Sequence, residues 1–324
     1  MPSVLCLRPE ADFTRVGVVP PASMDIDYLA PDDERMPALL KQADALVIPA
    51  VGPKLPLHLF EDSRLQLVQV TGAGVDRVDA DGLRALGIPL ANVPGGSNEA
   101  IAEYAVSCAA ALLRRFTEAS AEIRDGQYSA FRSRFIAENV DGLEGLLVGI
   151  VGLGVIGTAV ARKFKQFGCR IAFSDPAPAD PQAVIALEAE ALALEDLFSR
   201  CDVVSVHVPL LPATTDLISA DVLSKAKKGS VLIQASRGGV VDEKALSDAL
   251  EAGQLAGAAV DVYSSEPPSL DNPLLTLSDT AAGRTILTPH VAGITRQSWA
   301  LLFRTAWENV TRTVVQNQAP RHVI

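Results

Sequence analysis

Residues 146–157 read LLVGIVGLGVIG, an apolar run that breaks into glycines spaced G-x-G-x-x-G, followed by a helical pattern over 158–167. Few backbones accept that string. A short apolar run closed by glycine is a buried strand, and the switch to three- and four-residue apolar spacing marks a helix. Gly152 permits the tight turn between them. Gly154 omits a β-carbon where a pyrophosphate would approach the main chain, and Gly157 lets helix and strand pack closely. The helix start offers unpaired N–H groups and a partial positive charge to phosphate oxygens. A second apolar run, 170–174, ends at Asp175, 18 residues beyond Gly157. A carboxylate placed there accepts from both ribose hydroxyls of an adenosine and repels a 2′-phosphate, which selects NAD over NADP. The same residue, followed by Pro176, would also serve as a turn or cap.

The rest of the chain supplies a frame for that unit. Apolar runs at 3–7, 45–50, 65–70 and 88–93, and again at 203–206, 230–234, 255–260 and 285–287, read as buried strands. Helical patterns at 36–42, 79–86, 194–200, 220–226 and 243–252 separate them, which predicts parallel sheets with both faces covered. Residues 98–124 read as one long helix with a stripe of small and apolar side chains, 126–135 as a connecting arm, and 296–316 as a closing helix. With 324 residues, 48% of them hydrophobic, the chain is long enough for two packed domains.

Composition narrows the function. A net charge of −11 excludes a general binder of nucleic acid, yet leaves room for a small anion in a local basic pocket. No uncharged apolar stretch is long enough to predict a membrane span. Arg8 and Glu10 come too early for a secretory signal, so a cytoplasmic protein is expected. Cys6, Cys108, Cys169 and Cys201 have neither zinc-site nor CxxC spacing. They are expected to be isolated core thiols, with no metal site.

Three polar residues stand near the ends of predicted strands in the second half: Arg237, Glu266 and His290. In an open parallel sheet the carboxyl ends of the strands converge on the ligand crevice. A guanidinium, an acid and an imidazole are the side chains that carbonyl reduction needs: an anion clamp, a partner for a cation, and a proton donor that works near neutrality. Taken singly, each would be an ordinary surface residue.

SRGGVVDEKAL (236–246), AAVDVYSSEPP (258–268) and ILTPHVAG (286–293), downstream of GLGVIG, resemble the D-isomer-specific 2-hydroxyacid dehydrogenases. TGAGVDRVD (71–79), NVPGGSNEAIAEYAV (92–106) and VHVPLLPATTDLI (206–218) extend the resemblance over nearly the whole chain. It implies an α/β protein of two doubly wound parallel-sheet domains. One is a Rossmann nucleotide domain (100–291); the other is a flavodoxin-like substrate domain made of 1–99 and 292–324. It implies hydride transfer between NAD and C2 of a small 2-hydroxy or 2-keto acid, in a homodimer. His290 would be the acid/base, and Glu266 would pair with the imidazolium and keep the acid form present at neutral pH. Arg237 would bind the substrate carboxylate together with the main-chain N–H groups of Gly74 and Val75. Cofactor contacts would come from Gly152, Gly154, Val155, Ile156, Gly157, Asp175, Val208, Pro209, Thr214, Ala235, Ser236, Arg237, Asp261, His290 and Gly293. His207 receives no chemical role, and His58 and His322 are expected at the surface.

Two other readings share these residues. One is an NAD(H)-binding corepressor or sensor on the same scaffold; the other is a formate- or phosphite-type dehydrogenase. Arg77, Arg132 and Arg134 are cations left over. Any of them in the pocket would favour a phosphorylated or dicarboxylate substrate; otherwise they are solvated or lie in subunit contacts.

Overall fold

Every ladder between the strands is parallel, as buried apolar runs joined by helices require. The structure, a computed structural model, describes residues 1–324, which divide into two units: 1–97 with 294–324, and 98–293.

The first unit holds β1 (Ser3–Cys6), α1 (Glu10–Arg15), β2 (Asp25–Tyr28), α2 (Met36–Gln42), β3 (Ala45–Ile48), β4 (Leu67–Val70), α3 (Ala80–Ala85), β5 (Leu90–Ala91) and the C-terminal helix Arg296–Val314. Strand order is β2-β1-β3-β4-β5, the flavodoxin-like order. Side chains alternate across the sheet. Val4 and Cys6 join Phe13, Phe303 and Trp307 on one face, while Leu5 and Leu7 join Leu40 and Leu83 on the other. The Phe13 ring lies 4.7 Å from that of Phe303 and 5.3 Å from that of Trp307. Burying each such ring contributes about 1.5–3 kcal/mol. The C-terminal helix starts on a capping box between Thr295 and Ser298.

The second unit begins with α4 (Asn98–Leu113), α5 (Phe116–Arg124) and α6 (Tyr128–Glu138). It continues with β6 (Leu147–Val151), α7 (Val155–Gln166), β7 (Arg170–Ser174), α8 (Pro181–Leu187), β8 (Glu190–Ala191), α9 (Leu194–Arg200) and β9 (Val203–Val206). It closes with α10 (Ala220–Ser224), β10 (Ser230–Gln234), α11 (Glu243–Glu251), β11 (Leu255–Val260), α12 (Asp279–Ala282) and β12 (Thr285–Leu287). The order β12-β11-β10-β9-β6-β7-β8 is the Rossmann order with an added strand, and its switch point falls between β6 and β9. One face is covered by α4 and α7, the other by α9, α10 and α11.

Two local expectations change, and one strand appears that none foresaw. Residues 98–124 are two helices, because the chain turns left-handed at Arg115 (φ 51°). The reason is packing: α4 buries residues as far as Leu112, whereas α5 buries none. The expected arm is the helix α6, which joins α5 through Arg134 to Glu118 and Glu122, each at 3.1 Å. Strand β2 escapes a sequence reading because DIDY is a half-exposed edge strand with no apolar run.

Candidate functional site

The glycine turn lies at the switch point of the second sheet, where β6, β7 and β9 are tied at their carboxyl ends. Gly152 N–H donates to Ser174 O at 2.8 Å and His207 N–H to Val151 O at 2.7 Å. Gly152 has φ +91°, and a β-carbon there would meet Val208 and the His207 carbonyl. At Gly157 a β-carbon would run into the carbonyl oxygen of Gly152, so this glycine sets how closely α7 lies against the strand. Gly154 differs: a β-carbon there would touch nothing within 4 Å. The space beside this glycine is open. Helix α7 starts at that point without a side-chain cap, leaving the N–H groups of its first turn, Val155 and Ile156 among them, to an incoming acceptor. The Asp175 carboxylate accepts from Leu153 N–H at 2.7 Å and Ala177 N–H at 2.9 Å, one bond to each oxygen. This aims the carboxylate beside the turn and leaves each oxygen a lone pair for a hydroxyl. The three features fit a dinucleotide: open backbone for phosphate, a helix start, and an oriented acid for ribose.

The wall of that crevice is built from the next loops. Val208 is buried against Gly152. Thr214 accepts from Leu211 N–H at 2.7 Å and donates to Pro209 O at 2.6 Å, which shapes the 209–214 loop from inside. Ala235 and Ser236 are buried at the end of β10, where Ser236 Oγ donates to Gln234 Oε1 at 2.9 Å.

Neighbouring strands β10, β11 and β12 carry Arg237, Glu266 and His290 on their carboxyl-end loops. Two contacts draw the loops together. A β-carbon on Gly238 would collide with the Tyr263–Ser264 peptide, so the RGG turn sits directly against the loop leading to Glu266. Glu266 accepts from Tyr263 N–H at 3.1 Å through Oε1 and holds His290 Nδ1 at 2.8 Å through Oε2. His290 is left-handed (φ 54°), and its N–H donates to Asp261 O at 2.8 Å. The imidazole is 25% exposed, so its second nitrogen, Nε2, remains within reach of a ligand. Arg237 is half-buried, with Nη1 donating to Ser236 O at 2.8 Å.

Beneath His290 lies a network that sequence reading misses. Asp261, 1% exposed, accepts from Thr288 Oγ1 at 2.5 Å and from the N–H groups of Val291 and Ala292, both at 2.8 Å. Because Thr288 spends its one proton on Asp261, the Tyr104 hydroxyl must be the donor in its 2.8 Å bond to Thr288. Burial pushes the Tyr104 phenol up, so it stays a donor. The resemblance puts Asp261 among the cofactor contacts; its carboxylate is held by three protein donors, with one of them on Oδ2. The only sequence signal for Tyr104 is a phenol interrupting the small-residue stripe of α4. Gly293 ends this unit.

Gly74 and Val75 lie in the first unit, half-buried on the turn after β4. His207 ends β9 with Nε2 2.8 Å from Ser205 Oγ and with Nδ1 buried and unpartnered. Burial pushes its imidazole down to about 3, so the ring is neutral. His58 and His322 are exposed, and the four cysteines are buried and unpaired. Arg132 is exposed and Arg134 is spent on the α5–α6 ion pairs, while Arg77 is buried. No helix is long and apolar enough to cross a membrane.

Residues 106–292 match the family model for the D-isomer specific 2-hydroxyacid dehydrogenase, NAD binding domain. The dinucleotide is therefore NAD. The D-3-phosphoglycerate dehydrogenase of Mycobacterium tuberculosis is 34% identical over 268 residues, covering 83% of this chain and 48% of that protein. The chain spans about half the length of the curated relatives it matches. Among solved structures, the TT0316 protein of Thermus thermophilus superposes with a TM-score of 0.84 at 29% identity over 99% of each chain. TP0037 of Treponema pallidum, a D-lactate dehydrogenase, does so with a TM-score of 0.78 at 29% identity over 100% of this chain and 99% of that one.

Proposed function

The chain belongs to the D-isomer-specific 2-hydroxyacid dehydrogenase family, and from that premise we propose that it is an NAD-dependent oxidoreductase of small D-2-hydroxy acids. The observation that carries the reading is the His290–Glu266 pair at 2.8 Å on the loops beside Arg237. The nicotinamide ring supplies the hydride acceptor, or in reverse the donor. Glu266 accepts the Nδ1 proton of His290, which fixes the tautomer and leaves Nε2 as the atom that exchanges a proton with substrate. In oxidation Nε2 takes the hydroxyl proton as the C2 hydride departs, and the resulting imidazolium is stabilised by Glu266. In reduction the imidazolium returns that proton to the developing alkoxide. Arg237 holds the substrate carboxylate with its planar fork of donors. In the first unit, the main-chain N–H groups of Gly74 and Val75 are the candidates for binding a carboxylate. The Asp261–Thr288–Tyr104 network keeps the His290 turn in its left-handed conformation. Asp175 takes the adenosine ribose.

The test is NADH oxidation with glyoxylate, hydroxypyruvate, pyruvate, phenylpyruvate and 2-ketoisocaproate, with 3-phosphoglycerate run in reverse. Turnover of at least one is expected. Failure on all of them, or turnover of formate or phosphite alone, overturns the reading. A homodimer is part of the proposal, and a 34.1 kDa species in light scattering would contradict it.

A further inference from the structure

A cavity of about 430 Å³ opens beside the second half of the C-terminal helix. Its charged wall is Arg304, Glu308, Arg312 and Arg321, and its apolar wall is Trp307 with Val18 and Pro21. A space of this size accepts a small ligand. All of these residues belong to the first unit. Val18 and Pro21 lead into the amino end of β2, whereas Gly74 and Val75 follow the carboxyl end of β4. In a parallel sheet those are opposite edges, and no residue assigned to cofactor or substrate lines this cavity.

Helical spacing puts Arg304, Glu308 and Arg312 on one face, one turn apart. Arg304 Nε donates to Ala300 O at 3.0 Å and Arg312 Nε to Ala319 O at 2.7 Å. Both forks are thus anchored at one corner on neutral carbonyls, and neither pairs with Glu308. Arg321 comes from the segment that folds back after the helix. Asn309, 5% exposed, accepts from Arg321 N–H at 2.7 Å and donates to Arg321 O at 3.0 Å. The same amide donates to Gln69 Oε1 at 2.6 Å, inside the core of the sheet. Further on, Ile324 N–H donates to Leu90 O at 2.9 Å. A buried amide network therefore fixes the backbone of Arg321, a residue whose side chain is exposed. A second observation is independent of charge. Trp307 is 3% exposed, and its Nε1–H is buried without an acceptor. A buried donor with no partner is destabilising, and the protein itself supplies none here.

We propose that this cavity is a binding site for a phosphate monoester, separate from the site of hydride transfer. Three guanidiniums against one carboxylate leave two positive charges, the complement of a phosphate monoester dianion. A carboxylate offers two oxygens, enough for one planar fork, whereas the three terminal oxygens of a phosphoryl group engage several. Val18, Pro21 and the Trp307 ring take the carbon part of the ester, and an ester oxygen on that wall is an acceptor for the indole N–H. The chain as a whole carries a net charge of −11, so most of its surface repels a phosphate and a local basic cluster decides where one settles. The site does not depend on which 2-hydroxy acid is the substrate.

The test is isothermal titration calorimetry of the NAD-saturated protein, in which the nucleotide crevice is already filled. The titrants are glycerol 2-phosphate, inorganic phosphate and acetate at matched ionic strength. Wild type should bind glycerol 2-phosphate with a Kd of about 1 mM or tighter, inorganic phosphate about threefold more weakly, and acetate not measurably. Arg304→Gln and Arg321→Gln, both at exposed positions, should each weaken binding of glycerol 2-phosphate by about five- to tenfold. Trp307→Phe, which removes the N–H and keeps an aromatic wall, should weaken it about threefold. Glu308→Gln removes the one negative charge and should tighten it about threefold, an effect of opposite sign that loss of structure would not produce. Unfolding temperatures without ligand check that each variant is folded. No saturable binding to wild type below about 10 mM overturns the proposal. So does binding of unchanged strength when Arg304→Gln and Arg321→Gln are combined, because the phosphate then sits elsewhere. If the arginine variants do not fold, Glu308→Gln decides: an affinity no tighter than that of wild type overturns the site.

Discussion

Two histidines end strands of the same sheet and meet opposite fates. His290, after β12, has a carboxylate on Nδ1 at 2.8 Å and keeps a quarter of its side chain exposed. His207, after β9, has a serine hydroxyl on Nε2, an orphaned Nδ1 and an imidazole pushed down to about 3 by burial. Residue type alone would rate them equally. The difference teaches that a proton-exchanging histidine needs a partner for its cation and an open second nitrogen. His207 has neither, and serves as a neutral wall of the glycine turn.

The sharpest test replaces each in turn. His290→Gln should cut turnover by about 10²–10⁴-fold while NADH binding, followed by fluorescence, stays within a few-fold. His207→Gln should keep turnover within about tenfold, and equal losses in the two variants would break the comparison. Next, Glu266→Gln removes the imidazolium's partner and should cut turnover by about 10–10²-fold with KM nearly unchanged. A change confined to unfolding temperature, with turnover kept, would leave Glu266 a merely structural acid.

A third test uses acid stability. His207 is neutral when folded, with its pKa depressed, so the unfolded chain binds the extra proton. Its contribution to stability is complete above about pH 6.5 and falls as pH drops toward 3, by up to about 1 kcal/mol per pH unit. Denaturant unfolding of wild type between pH 7 and pH 5 should show this slope, and His207→Gln should flatten it. The smallest effect is expected from Tyr104→Phe, which removes one hydrogen bond beneath the His290 turn. It should cost about 1 kcal/mol of stability and a few-fold in kcat with KM nearly unchanged. A change in KM alone would detach Tyr104 from that turn.

Much of the nucleotide crevice could be read before any coordinates. Gly152, Gly154, Gly157 and Asp175 announce themselves because their roles are set within one strand, one turn and one helix. Strands such as β6 and β9 are legible because they are buried on both faces and must be apolar throughout. Elements without that constraint stayed hidden. Strand β2 lies at a sheet edge and carries two acids, and the turn at Arg115 follows from where the core beneath α4 runs out.

Arg237, Glu266 and His290 could be nominated from sequence, but their assembly depends on loops of three neighbouring strands. Only tertiary packing puts Gly238 against Tyr263 and Glu266 against His290. The Asp261–Thr288–Tyr104 network joins residues up to 184 positions apart, so no local pattern could show it. Arg77 is the clearest case of all. Its sequence suggests a solvated side chain, and burial beneath the Pro49–Pro53 loop turns it into an uncompensated charge. Short-range periodicity and backbone sterics are written along the chain and determine strands, helices and the glycine turn. The state of a side chain, whether charged, neutral, paired or orphaned, depends on dielectric and neighbours, and these exist only once distant segments have packed.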